Sequence, residues 1–198
     1  MKKNIIFSLV VGIILLQTSV FAVSFRDIKS SHWAYKYVIE LATNKVINGY
    51  TDGTFKPENT ITRGEFVKLV VMAALPDWIS IDDAESTFNH WASSYIWIAE
   101  RYGLISTGSM NLENIDEPIT RIEMVRIIVK ADLAMKGNSL ETKEKVKFKD
   151  VISLNNDDLL LLKHACSKGL ITGYTDNTFR PYNNMTRAEA ATMIYRFK

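Results

Sequence analysis

Cysteine is nearly absent from this chain. Cys166 is the only one, so no internal disulfide can brace the fold and an apolar core must supply the stability. With 47% hydrophobic residues the chain can build one. Cys166 itself follows Ala165 in a helical stretch and is expected to be a small buried residue. Histidine is scarce as well: His32, His90 and His164 fit no metal-ligand spacing, and no glycine-rich phosphate loop is present. Neither a metal nor a cofactor is expected.

An excess of one charge is also missing. The 24 basic and 22 acidic residues nearly balance, which argues against a nucleic-acid partner or an anionic membrane surface. Apolar runs are short. The longest goes from Ile5 to Leu16, well under the roughly 20 residues a membrane span needs. It sits behind Lys2 and Lys3 and ahead of Val20-Phe21-Ala22, so residues 1–22 read as a secretory signal peptide cleaved after Ala22. No cysteine near that site offers a lipid attachment, so no lasting membrane anchor is expected. Without Lys2 and Lys3 the chain carries 22 charges of each sign.

What the sequence does contain is a repeat. ITRGEF at 61–66 returns as ITRIEM at 119–124 and as MTRAEA at 185–190. With Thr62, Thr120 and Thr186 in one column, Val46-Ile47, Leu104-Ile105 and Leu170-Ile171 coincide, as do Leu41, Ala99 and Ala165. The first and third copies share NGYTDGTFKP at 48–57 and TGYTDNTFRP at 172–181, whereas the second has TGSMNLENI at 107–115. SHWA at 31–34 matches NHWA at 89–92, but the third copy has NNDD at 155–158. The threonines are 58 and then 66 residues apart. The polar run at 137–147 accounts for the longer gap and reads as a solvated linker. Three units are expected, at 23–80, 81–140 and 141–198.

Each unit reads as helix, loop, helix. The first helix is predicted over roughly 32–44 with Ser30 or Ser31 as cap, and Trp33, Tyr37, Leu41 and Ala42 on one face. The second, over roughly 63–75, has the wide apolar surface of a helix packed among others. Helices near 121–134 and 187–197 behave alike. No run alternates long enough for a sheet, so an all-α, pseudo-threefold bundle is expected.

The helix starts carry a signal of their own. Thr62/Glu65, Thr120/Glu123 and Thr186/Glu189 have capping-box spacing, and each glutamate also suits the positive end of the helix dipole. Arg63, Arg121 and Arg187 do not: at the first helical position the dipole disfavours a cation. Two readings stand open. Each arginine pairs with a nearby carboxylate such as Glu65 or Asp52, or it works beside the free helix amides to hold an external anion. Asp52-Gly53 and Asp176-Asn177 are turn pairs that can bring backbone close to a ligand. Phe55 and Phe179 are expected to plug their loops into the core, with Pro57 and Pro181 ending the extended segment. Trp33 and Trp91 suit either core anchoring or stacking on a sugar ring.

FRDI at 25–28, HWA at 32–34, INGYTDGTFKP at 47–57 and ITRGEF at 61–66 together resemble the S-layer homology (SLH) domain. FKDV at 148–151, ITGYTDNTFRP at 171–181 and MTRAEA at 185–190 repeat the match in the third copy. The resemblance implies a three-pronged helical assembly, secreted and retained at the bacterial cell wall or S-layer. It implies non-covalent binding of secondary cell-wall polysaccharide, commonly pyruvylated, in grooves between repeats. On that reading Arg63, Arg121 and Arg187 meet the sugar carboxylate, while Trp33, Trp91, Asp52, Gly53 and Asp176 shape the groove. The second unit lacks the Asp-Gly turn and the Phe and Pro anchors, and the third lacks the tryptophan. Three equal sites are therefore not expected, and the groove fed by the first unit is favoured.

An enzyme is not expected: Asp82-Asp83 and Asp157-Asp158 are acidic pairs at predicted helix entrances, where such residues are common. The alternative is a structural or protein-interaction module of the cell surface whose sugar sites have decayed. After the signal there is no room for a further folded domain, so a monomer that recruits any surface partner is the expectation.

Overall fold

A computed structural model describes residues 23–75, 80–86, 88–141, 143 and 145–198; the proposed signal peptide lies outside these. Among the described residues six α-helices follow one another: α1 (Tyr35–Thr43), α2 (Arg63–Ala74), α3 (Ser93–Arg101), α4 (Arg121–Lys136), α5 (Asn156–Ser167) and α6 (Arg187–Phe197). No strand occurs among the described residues, and no helix there is long and apolar enough to cross a membrane. The all-α expectation holds.

Three capping boxes start α2, α4 and α6. Thr62, Thr120 and Thr186 each accept from the amide of Glu65, Glu123 and Glu189, and each glutamate accepts from its threonine's amide. These three helices pack on one another around an approximate threefold axis, and the first helix of each unit packs on the second helix of the unit before it: α3 on α2, α5 on α4, and α1 on α6. The last contact closes the circle. Phe66, Val67, Val70 and Val71 of α2, Met124, Val125 and Ile128 of α4 and Ala190, Ala191 and Ile194 of α6 are fully buried, because a central helix meets neighbours on most sides.

The axis is also closed by backbone. The Ile61 amide donates to Met185 O, Met185 to Ile119 O and Ile119 to Ile61 O, each at 3.0 Å. Isolated antiparallel bridges, Thr60 with Thr186, Thr62 with Pro118 and Thr120 with Asn184, flank this ring. The units thus depend on each other through directional bonds as well as apolar contact.

The loops of the first and third units are built alike. The Asp27 carboxylate accepts from the Phe55 and Lys56 amides, both at 2.7 Å, and Asp150 does the same for Phe179 and Arg180. Phe55 and Phe179 are buried to the last atom, as the sequence suggests. Phe25 and Phe148 lie against Gly49 and Gly173, where a methyl would overlap their rings.

Three local expectations change. Helix α1 starts at Tyr35, and its N-cap, Ala34, has no side-chain cap; neither Ser30 nor Ser31 serves. Trp33 therefore precedes the helix and is 56% exposed, leaving Ala34, Val38 and Leu41 as the buried positions. Cys166 is only half-buried. The polar segment after α4 is also anchored more firmly than a solvated linker. Gly137 ends α4 in the left-handed region (φ 63°). Beyond it the Glu141 amide donates to Nδ1 of the buried His164, whose Nε2 lies 3.0 Å from Asp132.

Candidate functional site

The three arginines sit at the seams between units and reach forward, each to the capping-box glutamate of the next unit. Arg63 Nε and Nη2 donate to Glu123 at 3.0 and 2.9 Å. Arg121 Nη1 lies 3.6 Å from Glu189. Arg187 Nη1 donates to Glu65 at 3.2 Å, which closes the cycle. Of the two open readings, carboxylate pairing is the one observed, but across units: Glu65 serves Arg187, not Arg63. The helix amides are all taken. Those of Arg63 and Gly64 donate to Glu117 O and Ile115 O, those of Arg121 and Ile122 to Asn183 O and Pro181 O, and those of Arg187 and Ala188 to Asn59 O and Pro57 O. None of these three helix starts has an amide left for an external anion.

A groove opens beside each arginine. The second groove, about 230 Å³, is lined by Arg121 of the second unit, by Thr172, Tyr174, Glu189 and Arg196 of the third, and by Trp33 of the first. The third groove, about 200 Å³, repeats this with Arg187, then Asn48, Tyr50, Glu65 and Lys68, then Trp91. In both, a loop clamps the guanidinium. Arg121 Nη2 donates to Thr172 O at 2.7 Å and its plane lies 4.8 Å from the Tyr174 ring and 5.3 Å from Phe179. Arg187 donates to Asn48 O and Phe55 O and lies 4.8 Å from Tyr50 and 4.9 Å from Phe55. Trp33 and Trp91 stand half-exposed at the mouths, and each mouth holds a second cation: Arg196 in one, Lys68, 5.9 Å from the Trp91 ring, in the other.

The first groove differs. It is larger, about 500 Å³, and Arg63 shares it with Leu104, Ile105, Met110, Glu117, Glu123, Arg126 and Lys130. Gly108 and Glu113 occupy the columns of the loop tyrosine and phenylalanine, so no aromatic ring faces Arg63 among the described residues. Two carboxylates compensate it instead, Glu123 and, at 2.7 Å, Glu117. Burial opposes the charge on Arg63, yet these two carboxylates outweigh it and raise its pKa. Arg121 shows the reverse: burial pulls its pKa down, and Tyr174 and Glu189 only partly offset this. Its Nε is buried without a partner among the described residues. The guanidinium stays charged, but Arg121 is the least compensated of the three. Arg126, on the column of Lys68, is bound through two bonds of 2.6 and 2.7 Å to Asp158, one residue after the position where a tryptophan stands in the other units.

The structure thus brings Trp33 together with Arg121 and Trp91 with Arg187. Asp52, Gly53 and Asp176 stand apart from the groove linings and hold turns. Asp52 accepts from the Thr54 amide at 2.9 Å and Asp176 from that of Thr178 at 3.0 Å, while Gly53 has φ 77°. Tyr50, Tyr174, Lys68 and Arg196 escaped the sequence reading. The two tyrosines share a column inside the repeated GYTD motif, which is a usable signal; the cations do not share one.

The family described as the S-layer homology domain matches residues 24–67 and 165–191. Over 159 residues the chain is 31% identical to a cellulosome-anchoring protein of Acetivibrio thermocellus, covering 76% of this chain and 34% of that one. It is 28% identical over 178 residues to an S-layer protein of Bacillus thuringiensis subsp. finitimus, covering 86% of this chain and 21% of that one. It is 29% identical over 174 residues to an amylopullulanase of Thermoanaerobacterium thermosulfurigenes, covering 87% of this chain but only 9% of that enzyme. The chain spans a small part of each of these relatives.

Proposed function

Because the chain carries S-layer homology domains, a cell-surface module of cell-wall anchoring, we propose that it binds acidic secondary cell-wall polysaccharide non-covalently in the grooves between its units. The units run from 23 to 80, 81 to 140 and 141 to 198. The amylopullulanase matches over less than a tenth of its length, so its printed activity is not carried to this chain. The reading is non-enzymatic anchoring.

One observation carries it. The second and third grooves each bring a half-exposed tryptophan, a loop tyrosine, a clamped arginine and a second cation together from three different units. A flat ring is what stacks on a sugar face, and two cations against one glutamate leave positive charge for a carboxylate such as a pyruvate ketal. Hydrogen bonds to charged groups contribute about 1.5–3 kcal/mol each, and two grooves engaged on one polymer add avidity without new contacts. Asp52, Gly53 and Asp176 act indirectly, by shaping the loops that carry Tyr50 and Tyr174. The first groove has no such rings and two carboxylates on its arginine, so it is the weakest of the three.

The test is a pull-down on purified cell walls, before and after chemical removal of the secondary polysaccharide. Trp33→Ala with Arg196→Ala should empty the second groove, Trp91→Ala with Lys68→Ala the third, and Arg63→Ala should matter least. Binding that survives polysaccharide removal, or that survives emptying both grooves together, overturns the reading and leaves a protein-interaction module in its place.

A further inference from the structure

The half-exposed tryptophans are held by a device that occurs twice. In the first unit His32 Nδ1 accepts from the Ala34 amide at 3.1 Å, and Nε2 lies 3.2 Å from Glu58. In the second unit His90 Nδ1 accepts from Ala92 at 3.2 Å, and Nε2 lies 3.2 Å from Asp116. Because the amide occupies Nδ1, the ring proton sits on Nε2 and donates to the carboxylate. Both edges of the imidazole are thereby fixed. The ring lies beside the adjacent indole: His32 and Trp33 stack with centroids 5.6 Å apart, and His90 and Trp91 are tilted by 41° with centroids 5.5 Å apart.

The two carboxylates are exposed, at 74% and 68%, but the backbone that carries them is fixed. Glu58 lies between Pro57 and Asn59, whose carbonyls receive the Ala188 and Arg187 amides, and Asp116 lies between Ile115 and Glu117, which receive Gly64 and Arg63. Each histidine therefore references its tryptophan to the backbone seam at the centre of the molecule. The third unit is the internal control. At the three matching positions it has Asn156, Asp157 and Tyr182, so histidine, tryptophan and acid are absent together. Its helix is capped instead by Asn155, which accepts from the Asp158 amide at 2.8 Å.

We propose that His32 and His90 are positioning residues that hold Trp33 and Trp91 as preset sugar platforms at the second and third grooves, through Glu58 and Asp116. An indole more than half exposed would otherwise sample several rotamers and lose that freedom on binding. The inference rests on the glycan reading for its consequence, but the preset indole is a property of the free protein.

The experiment labels the chain with 5-fluorotryptophan and follows the Trp33 and Trp91 fluorine resonances, assigned by Trp→Phe substitution. Affinity for purified wall polysaccharide is measured in parallel by calorimetry. In His32→Ala the Trp33 resonance should move toward that of free fluorotryptophan while Trp91 stays, and binding should weaken about three- to tenfold, the effect of ordering one side chain on association. His32→Asn, whose side-chain oxygen can accept the Ala34 amide, should restore most of both. In a Trp33→Ala background His32→Ala should cost nothing further. An unmoved Trp33 resonance in His32→Ala overturns the inference, as does a His32→Ala loss that persists undiminished without Trp33. If Trp33→Ala leaves binding intact, the glycan reading of that groove fails, and the resonance alone still decides whether His32 sets the indole.

Discussion

Arg187→Ala removes the side chain that joins the last unit to the first, 122 residues away in sequence from its partner Glu65. That side chain is 8% exposed. It donates to Phe55 O at 2.9 Å, to Glu65 at 3.2 Å and to Asn48 O at 3.3 Å. Truncation leaves two loop carbonyls and a carboxylate without their cation. Breaking a buried pair costs about 3–5 kcal/mol. Glu65 keeps its bond to the Thr62 amide and is 27% exposed, so water recovers part of this and about 3 kcal/mol is expected. Arg63→Ala makes the contrast. One of its carboxylates, Glu117, is 61% exposed, and a pair so open to solvent contributes about 1 kcal/mol or less; the other, Glu123, is 25% exposed and keeps the Thr120 amide, so about 2 kcal/mol is expected in all. For a chain of this size 1 kcal/mol moves Tm by about 2–4 °C, so calorimetric unfolding should show a loss of about 6–12 °C for Arg187→Ala and about 4–8 °C for Arg63→Ala. Equal losses, or a larger one for Arg63→Ala, would refute the claim that loop clamping rather than the arginine itself sets the strength of each seam.

Burial alone would raise the pKa of Glu123, but the Thr120 amide and hydroxyl and Arg63 outweigh it and hold it low. A carboxyl depressed in the fold stabilises fully above its ordinary value of about 4.3 and loses that contribution as pH falls through its lowered value. Denaturant midpoints at about pH 6 and about pH 3 should therefore draw closer in Glu123→Gln than in the parent chain. Bonds from the Thr178 hydroxyl and then Arg180 push Asp176 down to about 2; a carbon-detected titration should find it there and find it nearer the usual carboxylate range in Thr178→Val. Gly173→Ala sets a methyl into the Phe148 ring and should cost about 1–3 kcal/mol of stability through overpacking, read as a lower urea midpoint; a neutral result would mean the ring is not confined there.

Much of this was legible because repetition acts as an internal alignment. The capping boxes, the central helices and the buried Phe55 and Phe179 follow from local rules applied three times. Trp33 misled because its spacing to Tyr37 and Leu41 is helical, while the Ala34 amide bonds back to His32 and the helix starts only at Tyr35. The anchoring of residues 138 and 141 on the buried Asp132 and His164 had no periodic signature: it joins residues 6 and 23 positions apart, and polar composition alone reads as solvated chain. The arginine partners were hidden for a different reason. A repeat shows what recurs within a unit, whereas Arg63, Arg121 and Arg187 each act on the next one.

That forward displacement changes what the divergence of the copies means. The second and third grooves each take their arginine from one unit, their loop from the next and their outer wall from the one after, so a loss in one unit is distributed over several sites. The second unit's altered loop spares the groove of its own Arg121, which the third unit's loop clamps, and instead strips Arg63 of its rings. The third unit's missing tryptophan bears on the same place, because Asp158, next to that position, holds Arg126 of the Arg63 groove. Two departures that look scattered along the sequence thus converge on one groove. The other two keep a tryptophan, a loop tyrosine and a second cation each, so on the proposed glycan reading they are the two sites, beside a groove whose residues serve the seam.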